Sequence, residues 1–313
     1  MAPVLAAPAV GTPSLRSGLL CAGAGVVAFS GTFPATVFAL RGFAPVVVGA
    51  GRTVAAAVIA VACLLLTRSP LPTRRQLAGL AQVALGCGIG FGVLSAIALG
   101  RISASHAAVV IALLPVSTAV FAVTRSGERV GRLFWLASGG GTAVVLGFAL
   151  RQGSGSLSVA DALLLVALVV GALGYAEGGR LSREMPGWRV ISWGLVLALP
   201  VALPLTLAAV VVAPPHPGRA AVAGLAYVSA VSMFLGFVVW YRGLALVGVA
   251  QGSQLQLGQP FLTLIAAAVL LGERPGMETV LSAAAVLGCV ALTQRGRGRA
   301  AAPSGSTDFT SPR

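Results

Sequence analysis

Long apolar runs limit what this chain can fold into more than any other feature. Ten of them follow one another between residues 19 and 293, and only short polar breaks separate them. A helix needs about 20 mostly apolar residues to cross the hydrocarbon core of a bilayer, which is roughly 30 Å thick. The pattern therefore predicts an all-α integral membrane protein with ten transmembrane helices.

The predicted spans run approximately from Leu19 to Leu40, Pro45 to Leu66, Leu77 to Leu99, Ser103 to Thr124, Leu133 to Leu150, Ala160 to Leu181, Val190 to Val212, Val222 to Gly243, Val249 to Leu271 and Val280 to Thr293. Residues 1–16 are predicted to form a disordered N-terminus, and residues 295–313 a disordered C-terminal tail.

The charge content excludes several classes of protein. Only 9% of the residues are charged, which is too few to keep the surface of a soluble enzyme or a soluble DNA-binding protein in water. The net charge of +14 comes from arginines scattered between apolar runs, without the basic stripe of a nucleic-acid-binding protein. The four cysteines lie inside apolar runs without CxxC spacing, so we expect no disulfide, metal site or cofactor.

The arginines also orient the predicted spans, because cytoplasmic loops collect positive charge. With both termini in the cytoplasm, fifteen arginines fall on the inner side and six on the outer side or in the outer half of a span. We therefore expect a multi-pass protein of the cell inner membrane with cytoplasmic termini.

One motif occurs twice, 145 residues apart. Pro115 precedes the segment GERVG at residues 127–131, and Pro260 precedes GERPG at residues 272–276 with the same spacing. Each copy would hold five helices, and an odd number inserts the second copy upside down relative to the first, a plan found in secondary transporters. The sequence thus predicts two inverted five-helix repeats, at residues 17–151 and 158–294.

The two halves resemble the EamA type of the drug/metabolite transporter superfamily. Each ends in a proline-bearing helix, a Gly-Glu turn and a last Gly/Ala-rich helix, and Ala98-Leu99 and Gly243-Leu244 precede the fourth and ninth helices. The resemblance covers roughly residues 17 to 294. It implies an inner-membrane carrier of small metabolites, often an exporter of amino acids or related compounds. The frequent Trp-Gly pair of the first helix is replaced here by residues 30–33 (SGTF), so the role of that tryptophan does not carry over.

Polar residues in the ninth helix are candidates for the substrate path. Five of them occur within nine residues, namely Gln251, Ser253, Gln254, Gln256 and Gln259. At 100° per residue Gln256 and Gln259 share one face of a helix, and Gln251 and Gln254 share another. One pair is expected to line the path while the other bonds to a neighbouring helix, although hydrogen bonds between helices would explain both pairs.

Pro115 and Pro260 are further candidates, since the sequence places each of them well inside a helix. Such a proline removes one backbone hydrogen bond and would free the carbonyl oxygens of Ile111 and Gln256. Broken turns of this kind line cavities in transporters, whereas in other bundles they are tolerated kinks.

Three ionisable residues are predicted to lie within or at the edge of the membrane. Arg52 lies about 10 Å from the outer edge and either serves the substrate path or extends outward to the interface. Glu177 could couple transport to protons or could form a salt bridge with Arg180. His106, at the outer end of the fourth helix, is either a second coupling candidate or a hydrogen-bonded imidazole.

Other residues receive weaker or structural interpretations. Tyr175 and Tyr241 are weak candidates for the substrate path. Glu128 and Glu273 are expected to cap the next helix or to pair with the adjacent arginine. The alternate glycines at residues 86–92 of the third helix indicate close helix packing.

These features favour a secondary transporter that works by alternating access, with a path lined by parts of helices one, three, four, six, eight and nine. We expect a small-molecule substrate, net export, and a monomer or homodimer in the lipid bilayer. A membrane-embedded enzyme acting on lipid-linked substrates would need assembled catalytic groups, which the scattered acids and histidines do not provide. A non-transporting scaffold would be expected to carry a soluble output domain.

Overall fold

The computed structural model describes residues 15–126, 131–152, 157–247 and 255–300, and all the regular elements in these ranges are helical. We number ten helical segments in chain order. The first five are α1 (Leu15–Ser30 and Thr32–Leu40), α2 (Pro45–Leu66), α3 (Arg74–Val83 and Phe91–Leu99, joined by a π-helical turn at Ala84–Gly90), α4 (Ala104–Ile111 and Leu114–Ser126) and α5 (Arg132–Gln152). The second five are α6 (Val159–Leu181), α7 (Gly187–Val212), α8 (Arg219–Ala226 and Phe237–Val247, joined by a π-helical turn at Tyr227–Gly236), α9 (Gln259–Leu271, preceded by a 3₁₀ turn at Gln256–Gly258) and α10 (Met277–Ala300).

Seven of the ten segments are long and apolar enough to cross a membrane, namely α1, α2, α3, α5, α6, α7 and α8. The apolar parts of α4, α9 and α10 are shorter, at Ala104–Thr118, Gln256–Leu271 and Met277–Leu292. The ten segments follow the predicted order along the chain, and ten crossings remain a prediction.

Several helix ends follow from local sequence. Pro45 lies in the first turn of α2, where its missing N–H is not needed. The Ser158 hydroxyl accepts a hydrogen bond from the Asp161 N–H at the start of α6, while Asp161 accepts one from the Ser158 N–H. Gly272 ends α9 with a φ of 70°, a left-handed conformation that glycine adopts without strain.

Hydrogen bonds between loops fall into two sets. One set joins loops that follow odd-numbered helices, and the other joins the regions that follow even-numbered helices. The His216 N–H donates to the Gly42 carbonyl at 3.0 Å and so joins the α7–α8 loop to the α1–α2 loop. At another point the Arg189 guanidinium, near the start of α7, donates to the Pro70 carbonyl of the α2–α3 loop at 2.8 Å. This grouping is expected if successive helices run between the same two faces.

Buried side chains form two large clusters. One joins parts of α1, α2, α3, α6, α7 and α8, and the other joins parts of α1, α3, α4, α5, α6, α9 and α10. Tyr175 of α6 packs against both clusters, which places it between them.

Glycines of α3 allow this helix to approach its neighbours closely. A Cβ atom on Gly90 would lie 2.9 Å from the Val170 side chain of α6, and one on Gly88 would lie 3.2 Å from Ala198 of α7. The alternate glycines therefore serve two interfaces, as small residues do between membrane helices.

The 145-residue register of the sequence motif extends to the secondary structure. The helix starts that match in this register are the pairs Arg74/Arg219, Leu114/Gln259 and Arg132/Met277. The two π-helical turns overlap in the same register. Residues 84–90 of α3 correspond to residues 229–235, which lie within the π-helical turn of α8.

Some predicted boundaries differ from the structure. α1 begins at Leu15 rather than Leu19, and α10 continues to Ala300 beyond the predicted tail boundary at Arg295. The end of an apolar run marks where a span can leave the membrane, and a helix can continue beyond it. Several predictions concern positions outside the described residues. These are the remainder of the two predicted disordered termini, and the residues Glu128, Gln251, Ser253 and Gln254.

Candidate functional site

A central cavity lies where helices of the two repeats meet. Its walls come from α1, α2, α3, α4, α6, α8 and α9, which are the six helices that the sequence predicted together with α2. The volume is about 50 Å³, enough for a few water molecules. The cavity is thus too small for a metabolite, which could enter only after the helices separate.

Six of the residues singled out in the sequence line this cavity, namely Arg52, Pro115, Tyr175, Gln256, Gln259 and Pro260. Tyr241, Glu177 and His106 lie elsewhere, and Gln254 is outside the described residues. The structure therefore brings together path candidates from both repeats and leaves the two coupling candidates apart from them.

Both glutamines next to the start of α9 face the cavity. Gln256 is 5% exposed, and its amide nitrogen has no hydrogen-bond partner within the described part of the chain. A buried amide donor without a partner is costly in a folded protein, so this nitrogen is available to a ligand. On the opposite wall the hydroxyls of Thr32 and Ser232 are hydrogen-bonded to each other at 2.7 Å.

The two prolines occupy breaks between helical pieces rather than the interior of a regular helix. Pro115 is the second residue of the second piece of α4, and Pro260 is the second residue of α9. Proline is tolerated there, because the first N–H groups of a helix lack intrahelical partners. The Gln256 carbonyl, predicted to be free, accepts the Gln259 N–H in the 3₁₀ turn. Ile111 lines the cavity beside the break in α4.

Aromatic rings on the cavity wall form two layers. Phe29, Tyr175 and Phe237 make one layer, with ring centroids 4.9 Å apart for Phe29 and Phe237 and 5.3 Å apart for Tyr175 and Phe237. Phe33 and Phe91 make the other layer, stacked with centroids 6.4 Å apart. A substrate in the cavity would therefore contact aromatic rings.

Arg52 is the charged residue of the cavity wall in the described part of the chain. It is 4% exposed, and its Cζ atom lies 5.8 Å from the centroid of the Phe91 ring. The side chain is thus directed into the protein, and not outward to the membrane interface. No hydrogen bond or ion pair joins it to another described residue, and its Nε is buried without a partner.

Each of the two coupling candidates contacts an ionisable neighbour. Glu177 accepts a bond from Arg180 Nε at 2.9 Å, and Arg180 also contacts Glu184 at 2.5 Å. His106 Nε2 lies 2.7 Å from Asp161 Oδ1. Both arrangements match the structural interpretations of these residues, in which Glu177 forms a salt bridge and His106 a hydrogen-bonded pair.

Glu273 caps a helix far away in the chain. Its carboxylate accepts hydrogen bonds from the Ala104 and Ser105 backbone N–H groups, each at 2.9 Å, and from the Ser105 hydroxyl. The expected capping role is thus observed at the start of α4, rather than on the next helix.

A second, wider recess of about 640 Å³ is lined by Glu273 and His106. Ala108, two residues beyond His106 on α4, lines the central cavity.

Tyr241 belongs to the core. Its side chain is fully buried, and a Cβ atom on either Gly178 or Gly187 would collide with it. The ring centroid lies 5.5 Å from that of Phe237, so Tyr241 packs against a ring of the cavity wall without lining the cavity itself.

Sequence reasoning missed the aromatic and hydroxyl residues of the wall. Phe29, Phe91 and Phe237 lie in uniformly apolar runs, where nothing distinguishes a ring that faces a cavity from one that faces lipid. The segment SGTF at residues 30–33 was the available signal for Thr32 and Phe33, because it stands where the EamA pattern frequently has Trp-Gly. Ser232 had no comparable signal.

The EamA-like transporter family matches the chain twice, at residues 16–150 and 158–294. The Uncharacterized transporter YdeK of Bacillus subtilis is 47% identical over 271 residues, which cover 87% of this chain and 94% of that protein. The Probable terminal-alkyne amino-acid exporter of Streptantibioticus cattleyicolor is 28% identical over 288 residues, covering 88% of this chain and 92% of that protein.

A solved crystal structure shares the fold. It superimposes with a TM-score of 0.62 at 17% identity and covers 92% of this chain and 100% of that chain. At this identity the likeness concerns the arrangement of the helices alone.

Proposed function

Because the chain belongs to the EamA-like transporter family, we propose that it is a secondary transporter that exports a small metabolite, an amino acid or a related compound, across the inner membrane by alternating access. The chain is a multi-pass membrane transporter of the EamA type. The proposal adds the substrate class, the direction and the mechanism. The name of the relative from S. cattleyicolor, an amino-acid exporter, supports the first two.

The central cavity is the observation that carries the mechanism. It is lined by helices of both repeats, it is large enough for a few water molecules, and two groups of aromatic rings lie on its wall. A carrier works by alternating between states that expose one site to opposite faces, and a site lined by both repeats is what such a cycle requires.

The placement of the acidic residues bears on coupling. Five acids lie in the described part of the chain, and none of them lines the cavity. Proton-driven carriers use an ionisable residue whose protonation shifts the preferred conformation. We therefore favour movement down the substrate gradient, with weak proton coupling through Glu177 as the alternative and His106 as the next candidate.

Two amides test the cavity as the transport site. Gln256→Ala and Gln259→Ala should each lower gene-dependent export at least several-fold without lowering the amount of protein in the membrane, since both amides face the cavity. Metabolites of cells and medium are compared with and without the gene, and then with each variant.

Gln82→Ala is the matched control, because Gln82 lies on α3 and does not line the cavity. Export that stays unchanged in both cavity variants, or that falls equally with Gln82→Ala, would contradict the assignment of the site. If no metabolite depends on the gene, the export proposal itself fails.

A further inference from the structure

Arg52 has no counter-charge among the residues that the structure describes. The five acids in these ranges are engaged elsewhere. Asp161 pairs with His106, Glu177 and Glu184 pair with Arg180, Glu273 caps α4, and Glu278 pairs with Arg151 at 2.9 Å. Burying a guanidinium that has no counter-ion or hydrogen-bond acceptor opposes folding strongly, because the face of one aromatic ring replaces only part of the lost hydration. A residue with this penalty is expected to have a use that the empty protein does not show.

The fold holds the guanidinium in one place. A Cβ atom on Gly92 would lie 2.9 Å from both Nε and Nη2 of Arg52, so the side chain rests directly on the α3 backbone. The Phe91 ring, which lines the cavity, lies next to the guanidinium. The arginine is therefore positioned before any ligand arrives, which reduces the entropy lost on binding.

The cavity around Arg52 is otherwise suited to an uncharged, largely apolar body. Phe29, Phe33, Phe237 and Tyr175 supply rings, and the unpaired Gln256 amide nitrogen supplies a second donor. One cation lines the cavity in the described ranges, which matches a singly charged anion better than a phosphate dianion. Arginine binds carboxylates with two parallel N–H···O bonds, the geometry for which its planar group is suited.

We propose that Arg52 binds the carboxylate of the transported substrate, and that the substrate class is small monocarboxylates with an apolar or aromatic body, including the apolar amino acids. This inference rests on the proposed function and adds the recognition chemistry of the same cavity. The α-amino group of an amino acid can be received by the faces of the surrounding rings, which attract cations.

The first experiment measures the ligand-free protein. Thermal unfolding in detergent is compared for the wild type, Arg52→Gln and the control Arg101→Gln, whose side chain is exposed. Arg52→Gln should unfold at the same temperature as the wild type or higher, because it removes an uncompensated buried charge. A clear fall in Tm that Arg101→Gln does not show would mean that Arg52 has a structural partner, and it would overturn the proposal.

The second experiment measures carboxylate recognition directly. L-leucine, L-isoleucine, L-valine, L-methionine, L-phenylalanine, L-tyrosine and L-tryptophan are each tested beside the corresponding amide, at millimolar concentration, for their effect on Tm. At least one acid should raise the wild-type Tm by about 2 °C or more while its amide does not, since ligands that bind only the folded state stabilise it. Arg52→Gln should lose this difference, and Arg52→Lys should recover part of it.

The two outcomes that would overturn this binding assignment are an acid that is no better than its amide throughout the panel, and an acid-specific shift that persists in Arg52→Gln. Failure of the proposed transport is recognised separately, by the absence of any gene-dependent metabolite in the medium. Export of a neutral or cationic metabolite that survives Arg52→Gln would leave the transporter in place and remove the carboxylate site.

Discussion

At the scale of single residues, the position of Arg52 depends on an atom that Gly92 lacks. The guanidinium occupies the space that a Cβ would fill, and the same Cβ would also lie 2.8 Å from the Gly49 carbonyl of α2. The glycine thus serves both the packing of α2 on α3 and the placement of the charge. Alanine at this position would have to displace either the arginine or a helix.

We expect Gly92→Ala to lower the free energy of unfolding by about 1–3 kcal/mol, the usual range for overpacking, and to reduce export along with it. Denaturant unfolding in detergent and export from cells measure the two effects. Gly139→Ala is the control, because a Cβ there meets nothing within 4 Å. Equal stability of the two variants would show that Gly92 does not limit the space around Arg52.

Polar residues of the site were accessible to sequence reasoning, because an amide or a guanidinium within an apolar run needs a partner or a function. Arg52, Gln256 and Gln259 stand out for this reason, and the structure places all three on the cavity. Glu273 shows the limit of the approach. A capping role was predictable, but its target, Ala104, lies 169 residues away in the chain and depends on tertiary packing.

At the scale of helices, the sequence predicted the order and the approximate extents of the ten segments, since apolar length decides both. It did not predict the π-helical turns of α3 and α8. Such a turn changes the backbone hydrogen-bond pattern without a marker residue, and it rotates the following piece of helix relative to the preceding one. Phe91 and Phe237 directly follow these turns. Helical periodicity therefore could not predict that their side chains face the cavity.

The break in α4 gives a prediction at the same scale. Pro115→Ala restores an N–H that can reach the Ile111 carbonyl and so favours one continuous helix across residues 112–113. We expect export to fall at least several-fold with Tm unchanged or raised, because the cavity wall loses its break. Export and thermal unfolding measure this, and Pro200→Ala, in α7 away from the cavity, is the control. Wild-type export in Pro115→Ala would show that the break has no part in transport.

At the scale of the whole molecule, the inverted arrangement of the repeats gives a sharp prediction. Reporter domains fused after Arg129 and after Arg274 should lie on opposite sides of the membrane, the first in the cytoplasm and the second outside. The reason is that five helices separate the two equivalent turns, and the arginine distribution favours cytoplasmic termini. Reporter activity and protection from external protease measure the location. Two fusions on the same side would exclude an inverted repeat.

The π-helical turns of α3 and α8 also bear on the history of the molecule. π-helical turns are rare, and they occur frequently at functional sites. The two turns overlap in the 145-residue register. Cys87 in the first turn and Ser232 in the second are equivalent in this register, and both line the central cavity. Duplication of a half-length chain that already contained this irregular helix would account for the matching position of both turns. The ancestral half-length protein would then already have carried the irregular helix, and two copies of it would have contributed one such turn each to a shared chamber.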